Sequence, residues 1–247
     1  MAPGAAALSG HSKWANIKRR KAVVDAQKGK VFSRLAREIT VAARHGGPNP
    51  DANFRLATAI ERARAENLPS GNIERAIARG AGGGDEADYE ELQYEGYGAG
   101  GIAILALIMT NNRNRTAAEL RHLFSKHGGA LGETGCVAWM FKRRARVAVT
   151  ARDEEELLLT AADIGADDVE AEEDGSFSVY GKPEDLQSLR QGLIERGVEV
   201  ISAEFTYDPS MRTEVGGAEQ EKVLALLEAL DDHDDIQDVF TNADFSE

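Results

Sequence analysis

The chain has 247 residues, 42% hydrophobic and 29% charged, with a formal net charge of −13; that is a folded protein of one large or two to three small domains, too apolar for disorder. Its single cysteine, Cys136, excludes a disulfide framework and any multi-thiolate zinc or iron–sulfur site, and suits a reducing, cytoplasmic setting. The longest strongly apolar run, Ile102 to Met109, is far short of a membrane span, so no membrane partner is expected.

The mean charge hides a division. Met1 to Arg79 carries five Lys and ten Arg against six acids, a net +9, and Gly80 to Glu247 carries 14 bases against 36 acids, a net −22. A basic head on an acidic body is the asymmetry of a protein that meets a polyanion with one end only. Solvation of two ordinary surfaces is the plainer alternative, since Lys and Arg usually lie outside.

Phe32, Leu35, Ala36, Ile39 and Ala43 follow helical spacing, and His45-Gly46-Gly47-Pro48 stops that helix. Asn49-Pro50-Asp51 offers a cap for a second helix through Leu56, Ile60 and Ala63. Ser70 is placed to cap a third, with Ile73, Ala76 and Ile77 on one face and Gly80 as its stop. The glycine-dense, acidic stretch Gly80 to Asp88 reads as a flexible linker, and it lacks the ending of a phosphate-binding loop. Tyr89 to Tyr97 and Ile102 to Met109 read as strands. Thr116 and Glu119 read as a capping box for a helix with Ala117, Leu120 and Phe124 inward, and Val137 to Phe141 as the next strand.

Residues from Ala145 onward carry their own pattern. A strand to Thr150, a helix from Asp153 to Ile164, two strands around Glu173-Asp174-Gly175-Ser176, a helix from Glu184 to Arg196 and a strand from Val198 to Phe205 give β-α-β-β-α-β, the ferredoxin-like split unit. The helix Ala218 to Leu230 and strand Ile236 to Phe240 then return to complete the unit begun at residue 89. The expected class is α+β with three domains: a basic three-helix domain, 1–79; an α/β-sandwich domain, 80–141 with 208–247; and a ferredoxin-like domain, 142–207, inserted in the second.

No enzyme chemistry emerges. Cys136, entering a strand, reads as a small buried hydrophobe. His122 and His127 are five apart and do not share a helix face, and Asp231-Asp232-His233-Asp234-Asp235 lacks the pattern of a calcium loop and reads as a solvated loop. No metal, cofactor or small-molecule substrate is expected. Nucleic-acid contact has better candidates. His11, Lys13, Lys18, Arg19, Arg20 and Lys21 cluster around Trp14, and Lys28 and Lys30 follow; the cations suit phosphate, while the indole either stacks on an unpaired base or plugs the helical core. Arg113 and Arg115 lie in Asn111-Asn112-Arg113-Asn114-Arg115-Thr116, where a strand meets a helix N-terminus, a favourable phosphate site.

The runs Gly10 to Lys18 (Gly-His-Ser-Lys-Trp-Ala-Asn-Ile-Lys), Asp25 to Lys30, Arg113-Asn114-Arg115-Thr116 and Gly132-Glu133-Thr134-Gly135 resemble the YebC/PmpR family, which includes a mitochondrial translational activator of cytochrome oxidase. The likeness runs from about Gly10 to the end. Three positions depart from it: Ala99 replaces the usual proline of Gly-Pro-Gly-Gly, Asn111 replaces the aspartate of Thr-Asp-Asn, and Cys136 replaces a serine. The resemblance implies three domains around a cleft and a non-enzymatic cytoplasmic regulator of gene expression. Members have been described as DNA-binding transcriptional regulators and as ribosome-associated factors that relieve stalling on proline-rich nascent chains. A +9 head, glycine linkers and no identifiable recognition helix favour RNA, with ribosomal RNA, tRNA and the ribosome as expected partners; DNA is the alternative. Met1 to Leu8 has no signal-peptide pattern, and Met1 to Ala7, which has no counterpart in the resemblance, is expected to be either a disordered tail or sequence ahead of a start at Leu8.

Overall fold

The computed structural model describes residues 25–82, 89–172 and 174–245. The described residues divide into two compact units, one built from 25–31, 90–141 and 209–245, the other from 32–82 with Tyr89 and from the described part of 142–208.

In the second unit, three helices come first: α1 (Asp25–Gly46, from residue 32), α2 (Phe54–Ala65) and α3 (Ser70–Ala81). Leu35, Ile39, Leu56, Ile60 and Ile73 are buried among them. The cap of α2 is not Asn49. Residues 49–53 turn, with Ala52 N–H donating to Asn49 C=O and Asn53 N–H to Pro50 C=O, and Asn53 caps instead. Its buried side chain accepts from Leu56 N–H and donates to the Ala42 and Gly47 carbonyls, both at 2.8 Å. One amide thus starts α2 and satisfies carbonyls at the end of α1. Pro69, not Ser70, stands at the cap of α3, with no side-chain bond. Gly80 does not stop α3, because the helix runs to Ala81; it is a contact point. A Cβ there would run into the Thr40 carbonyl oxygen and lie 2.9 Å from Ala43 Cβ.

The same unit holds a four-stranded sheet. Strand β4 (Phe141–Thr150, from Lys142), helix α5 (Glu154–Asp163), the hairpin β5 (Asp168–Ala171) and β6 (Phe177–Gly181), helix α6 (Leu186–Glu195) and β7 (Glu199–Pro209) assemble in the order β5-β6-β4-β7. That is the arrangement the β-α-β-β-α-β pattern predicts. Ala145, Val147, Val149, Val179, Leu157, Leu189 and Leu193 form its core. Arg146 alternates with these core residues along β4 and bonds Glu172, Glu204 and Ser178 on the opposite, polar face.

In the first unit, β1 (Glu90–Tyr97) and β2 (Ala103–Thr110) pair antiparallel over their full lengths, from Glu90 with Thr110 to Tyr97 with Ala103. The short β3 (Ala130–Leu131) flanks β1, and β9 (Ile236–Thr241) flanks β2, giving β3-β1-β2-β9. Helices α4 (Arg113–Lys126) and α7 (Gly217–Asp231) supply Leu120, Phe124, Val223, Leu226 and Leu230 to the core over Ile104, Ala106 and Ile108. Strands β8 (Thr213–Val215) and β10 (Ala243–Phe245) pair in parallel.

Two sequence-based expectations change here. Asn112 caps α4, accepting from Arg115 N–H at 3.1 Å, so Thr116 lies inside the helix and is buried rather than capping it. Ala138–Met140 form a 3₁₀ turn instead of a strand. The backbone N–H groups of Val137 and Ala138 are taken by the Glu95 carboxylate and cannot join a ladder.

Candidate functional site

Several expected contact residues lie outside the described residues: His11, Lys13, Trp14, Lys18, Arg19, Arg20 and Lys21, together with linker residues 83–88 and the expectation for residues 1–7. Lys28 lies in the helical backbone of α1. Lys30 donates from Nζ to the Asp232 carbonyl at 3.0 Å and stands 3.8 Å from its carboxylate. Asp232 is the C-cap of α7, where a cation complements the negative end of the helix.

Arg113 and Arg115 occupy the first turn of α4, and the fold treats them differently. Arg113 is exposed. Arg115 Nη2 donates to Asp235 Oδ2 at 2.7 Å, and its Nε lies 3.9 Å from Glu119. Asp235 Oδ2 also accepts from the hydroxyls of Thr116 at 2.7 Å and Thr110 at 3.1 Å. Burial pushes the Asp235 carboxyl up, but the bonds from Thr116, Arg115 and Thr110 outweigh it and hold the group below its ordinary range. The acidic run at 231–235 is therefore more than solvated loop: Asp235 is 4% exposed and anchors the β2–α4 turn.

Glu119, His233 and Asp235 bring ligand-type atoms within 4.8 Å of one another. His233 Nδ1 accepts from Asp235 N–H at 3.1 Å, so its proton sits on Nε2, 2.9 Å from Glu119 Oε2, which accepts it. The nitrogen facing the carboxylates is a donor, and the Arg115 guanidinium already supplies the positive charge. An ion-pair cluster accounts for these groups.

A second buried carboxylate organises the loop at 132–140. Glu95 is 2% exposed. Its oxygens accept from Gly135, Val137 and Ala138 N–H, each at 2.7 Å. Burial raises its pKa, and the three backbone bonds more than reverse that, leaving it below the ordinary carboxylate value. The loop so held presents Trp139, 71% exposed. The indole N–H and the Tyr97 hydroxyl both donate to the Cys136 carbonyl, at 3.1 and 2.9 Å. Nothing in the sequence of Tyr94-Glu95-Gly96-Tyr97 marks Glu95 as internal; only its neighbourhood to Gly132-Glu133-Thr134-Gly135 in the fold reveals it. Cys136 is half-buried on this loop rather than in a strand. Burial, Glu95 and Glu133 push its thiol up, away from the thiolate form a nucleophile needs.

A cationic groove of about 460 Å³ between α1 and α3, containing Arg37, Arg75 and Arg79, was not foreseen in the sequence. The i, i+4 pair Arg75 and Arg79 was the available signal. No helix among the described residues is long and apolar enough to cross a membrane.

Helices leading into two separate four-stranded sheets, with loops pinned by buried carboxylates, define an α+β protein of repeated small layers. The chain belongs to the TACO1/YebC family. The model of the TACO1/YebC N-terminal domain matches residues 12–83, and that of the TACO1/YebC second and third domain matches 89–243. A protein of Desulforamulus reducens named probable transcriptional regulatory protein is 52% identical over 239 residues, covering 95% of this chain and 98% of its own. One of the same name from Desulfitobacterium hafniense is 50% identical over 97% of each chain. The crystal structure of a conserved hypothetical protein from Aquifex aeolicus superposes with a TM-score of 0.84 at 46% identity, over 90% of this chain and 93% of that one.

Proposed function

We propose that the protein is a non-enzymatic, nucleic-acid-binding regulator of gene expression, and that it acts as a ribosome-associated translation factor through ribosomal RNA or tRNA, relieving stalling on proline-rich nascent chains. The observation that carries this reading is the charge division, +9 up to Arg79 against −22 beyond it. Phosphate attracts the first segment and is repelled by the rest, so contact is confined to one end. The contact residues in this reading are the basic run around Trp14 with Lys28, Lys30 and Arg113; Arg115 contributes through its place in the ion-pair cluster as much as through phosphate. The three-domain division, 1–79, 80–141 with 208–247, and 142–207, is part of the same proposal; the family models separate an N-terminal domain, matched at 12–83, from a second and third, matched together at 89–243.

The names of the relatives favour a second reading, a DNA-binding transcriptional regulator. Crosslinking in cells followed by sequencing of the bound nucleic acid separates the two. Recovery of ribosomal RNA or tRNA supports the translation factor. Recovery of promoter DNA replaces it with the transcriptional reading.

A further inference from the structure

We propose that the groove between α1 and α3 is a binding site for single-stranded RNA, with Arg37, Arg75 and Arg79 receiving the phosphates. The proposal rests on the reading of the protein as RNA-binding, and adds the place and the mode of contact.

The groove follows from helix spacing. On α1, Ala36, Arg37 and Thr40 fall on one face; on α3, Asn72, Arg75, Ala76 and Arg79 do the same. Small residues at the centre of each face let the helices approach. Thr40 Oγ1 lies 2.8 Å from the Ala36 carbonyl and 3.2 Å from the Ala76 carbonyl, bridging the two helices. Gly80 closes against the Thr40 backbone at the end of this contact. The helices are therefore pinned where Thr40 meets Gly80, with a floor of Ala36, Thr40 and Ala76 and long arginines standing on either side.

The electrostatics select an anion. Among the described residues, three guanidinium groups line the groove and no Asp or Glu does. Arg75 and Arg79, exposed one turn apart on α3, repel one another, and a polyanion relieves that repulsion. Arg75 is aimed by its own helix: its Nε donates to the Gly71 carbonyl at 3.0 Å, and its Nη2 bonds the Asn72 side-chain oxygen. Arg37 lies 5.1 Å over the Tyr89 ring, a cation–π contact.

Size and composition select a nucleotide chain over a lone phosphate. About 460 Å³ is the scale of a pocket for a nucleotide-sized ligand. Phe32 and Tyr89 add aromatic surface beside the cations, the combination by which single strands are held without base reading. Duplexes present phosphate without unstacked bases and would use only half of this chemistry.

The test uses the full chain and a fluorescent single-stranded RNA of about 12 nucleotides, within the span such sites cover, titrated at several salt concentrations. Arg75→Ala with Arg79→Ala should weaken binding by about tenfold or more. It should also reduce the slope of log affinity against log salt by about 1.4, at roughly 0.7 for each phosphate contact on a single strand. Both arginines are exposed, so the melting temperature should not move. Arg75→Lys with Arg79→Lys should keep most of the slope. Unchanged affinity and slope in the alanine variant overturn the groove while leaving RNA binding elsewhere intact. Failure of the wild-type chain to bind RNA overturns both the groove and the RNA reading. Tighter binding of a DNA strand of the same length, or of a poly-glutamate peptide, through the same two arginines overturns RNA as the occupant.

Discussion

Arg115 and Asp235 are 120 residues apart in the chain, and their side chains meet at 2.7 Å. The carboxylate is nearly buried at 5% side-chain exposure and the guanidinium is half open at 45%. The pair closes the turn between β2 and α4 onto the loop before β9. Its strength comes from the buried partner, which two threonine hydroxyls also serve, rather than from an exposed ion pair of the kind that contributes little.

Arg113 and Arg115 should therefore separate in a thermal melt. Arg113→Ala should leave the melting temperature unchanged. Arg115→Ala should cost about 1–2 kcal/mol, because a buried carboxylate loses its charged donor. Asp235→Asn should cost more than Arg115→Ala, since three donors then face a weaker acceptor. Equal melting temperatures for the two arginine variants would return Arg115 to the phosphate-site role its sequence position suggests.

Acid should act through the same kind of group. Glu95 and Asp235 are held below their ordinary values of 4.5 and 3.8 by hydrogen bonds that outweigh burial. A carboxylate with a lowered folded-state pKa stabilises fully above its unfolded value, and that contribution is lost as pH falls through the folded value. The contribution of these two groups should be flat well above pH 4.5 and should decline below it. In Glu95→Gln and Asp235→Asn the decline on acidification should be shallower than in the wild type, measured by chemical denaturation at each pH.

Glu95→Gln should also loosen the loop that carries Trp139. The amide nitrogen brings a donor toward backbone N–H groups that now find an acceptor, so about 2–4 kcal/mol of stability should be lost. In a Trp14→Phe background, where Trp139 is the remaining tryptophan, its fluorescence anisotropy should fall. Unaltered anisotropy would mean that the Cys136 carbonyl bond alone holds the indole.

Gly80→Ala tests the helix contact under the groove. The added Cβ would run into the Thr40 carbonyl oxygen, and backbone oxygen cannot swing away as a flexible side-chain end could. The helices must separate, at a cost of about 1–3 kcal/mol. The variant should melt earlier even though alanine is the better helix former.

Much of the architecture was legible because it repeats over many residues. Leu35, Ile39 and Ala43 keep one helical period and are all buried, and the β-α-β-β-α-β order from Ala145 to Phe205 runs long enough to be read from the chain. Strands β3, β8 and β10 escaped because two or three residues carry no period. The Thr116 capping box failed for a more instructive reason. A threonine three residues before a glutamate is the right local pattern, but Asn112 outcompetes it as the cap, and Thr116 is drawn inside by Asp235, a partner 119 residues away. Glu95 was invisible for the same reason: its three donors lie 40 or more residues downstream. The candidate arginines at 113 and 115 were found by type and position. Their unequal roles depend on a carboxylate that no local window contains.

Strand β2 lies between β1, its neighbour in the chain, and β9, which pairs Ile104 with Thr241. During synthesis, the β1–β2 hairpin emerges early and must wait for residues 111–235 to be made before its other side is filled. The strands of the intervening sheet are contiguous in sequence and meet sooner. The sheet that bears Glu95 and Thr110 is therefore completed last, and a chain cut before residue 236 would leave β2 as an open apolar edge, ready to pair with another molecule.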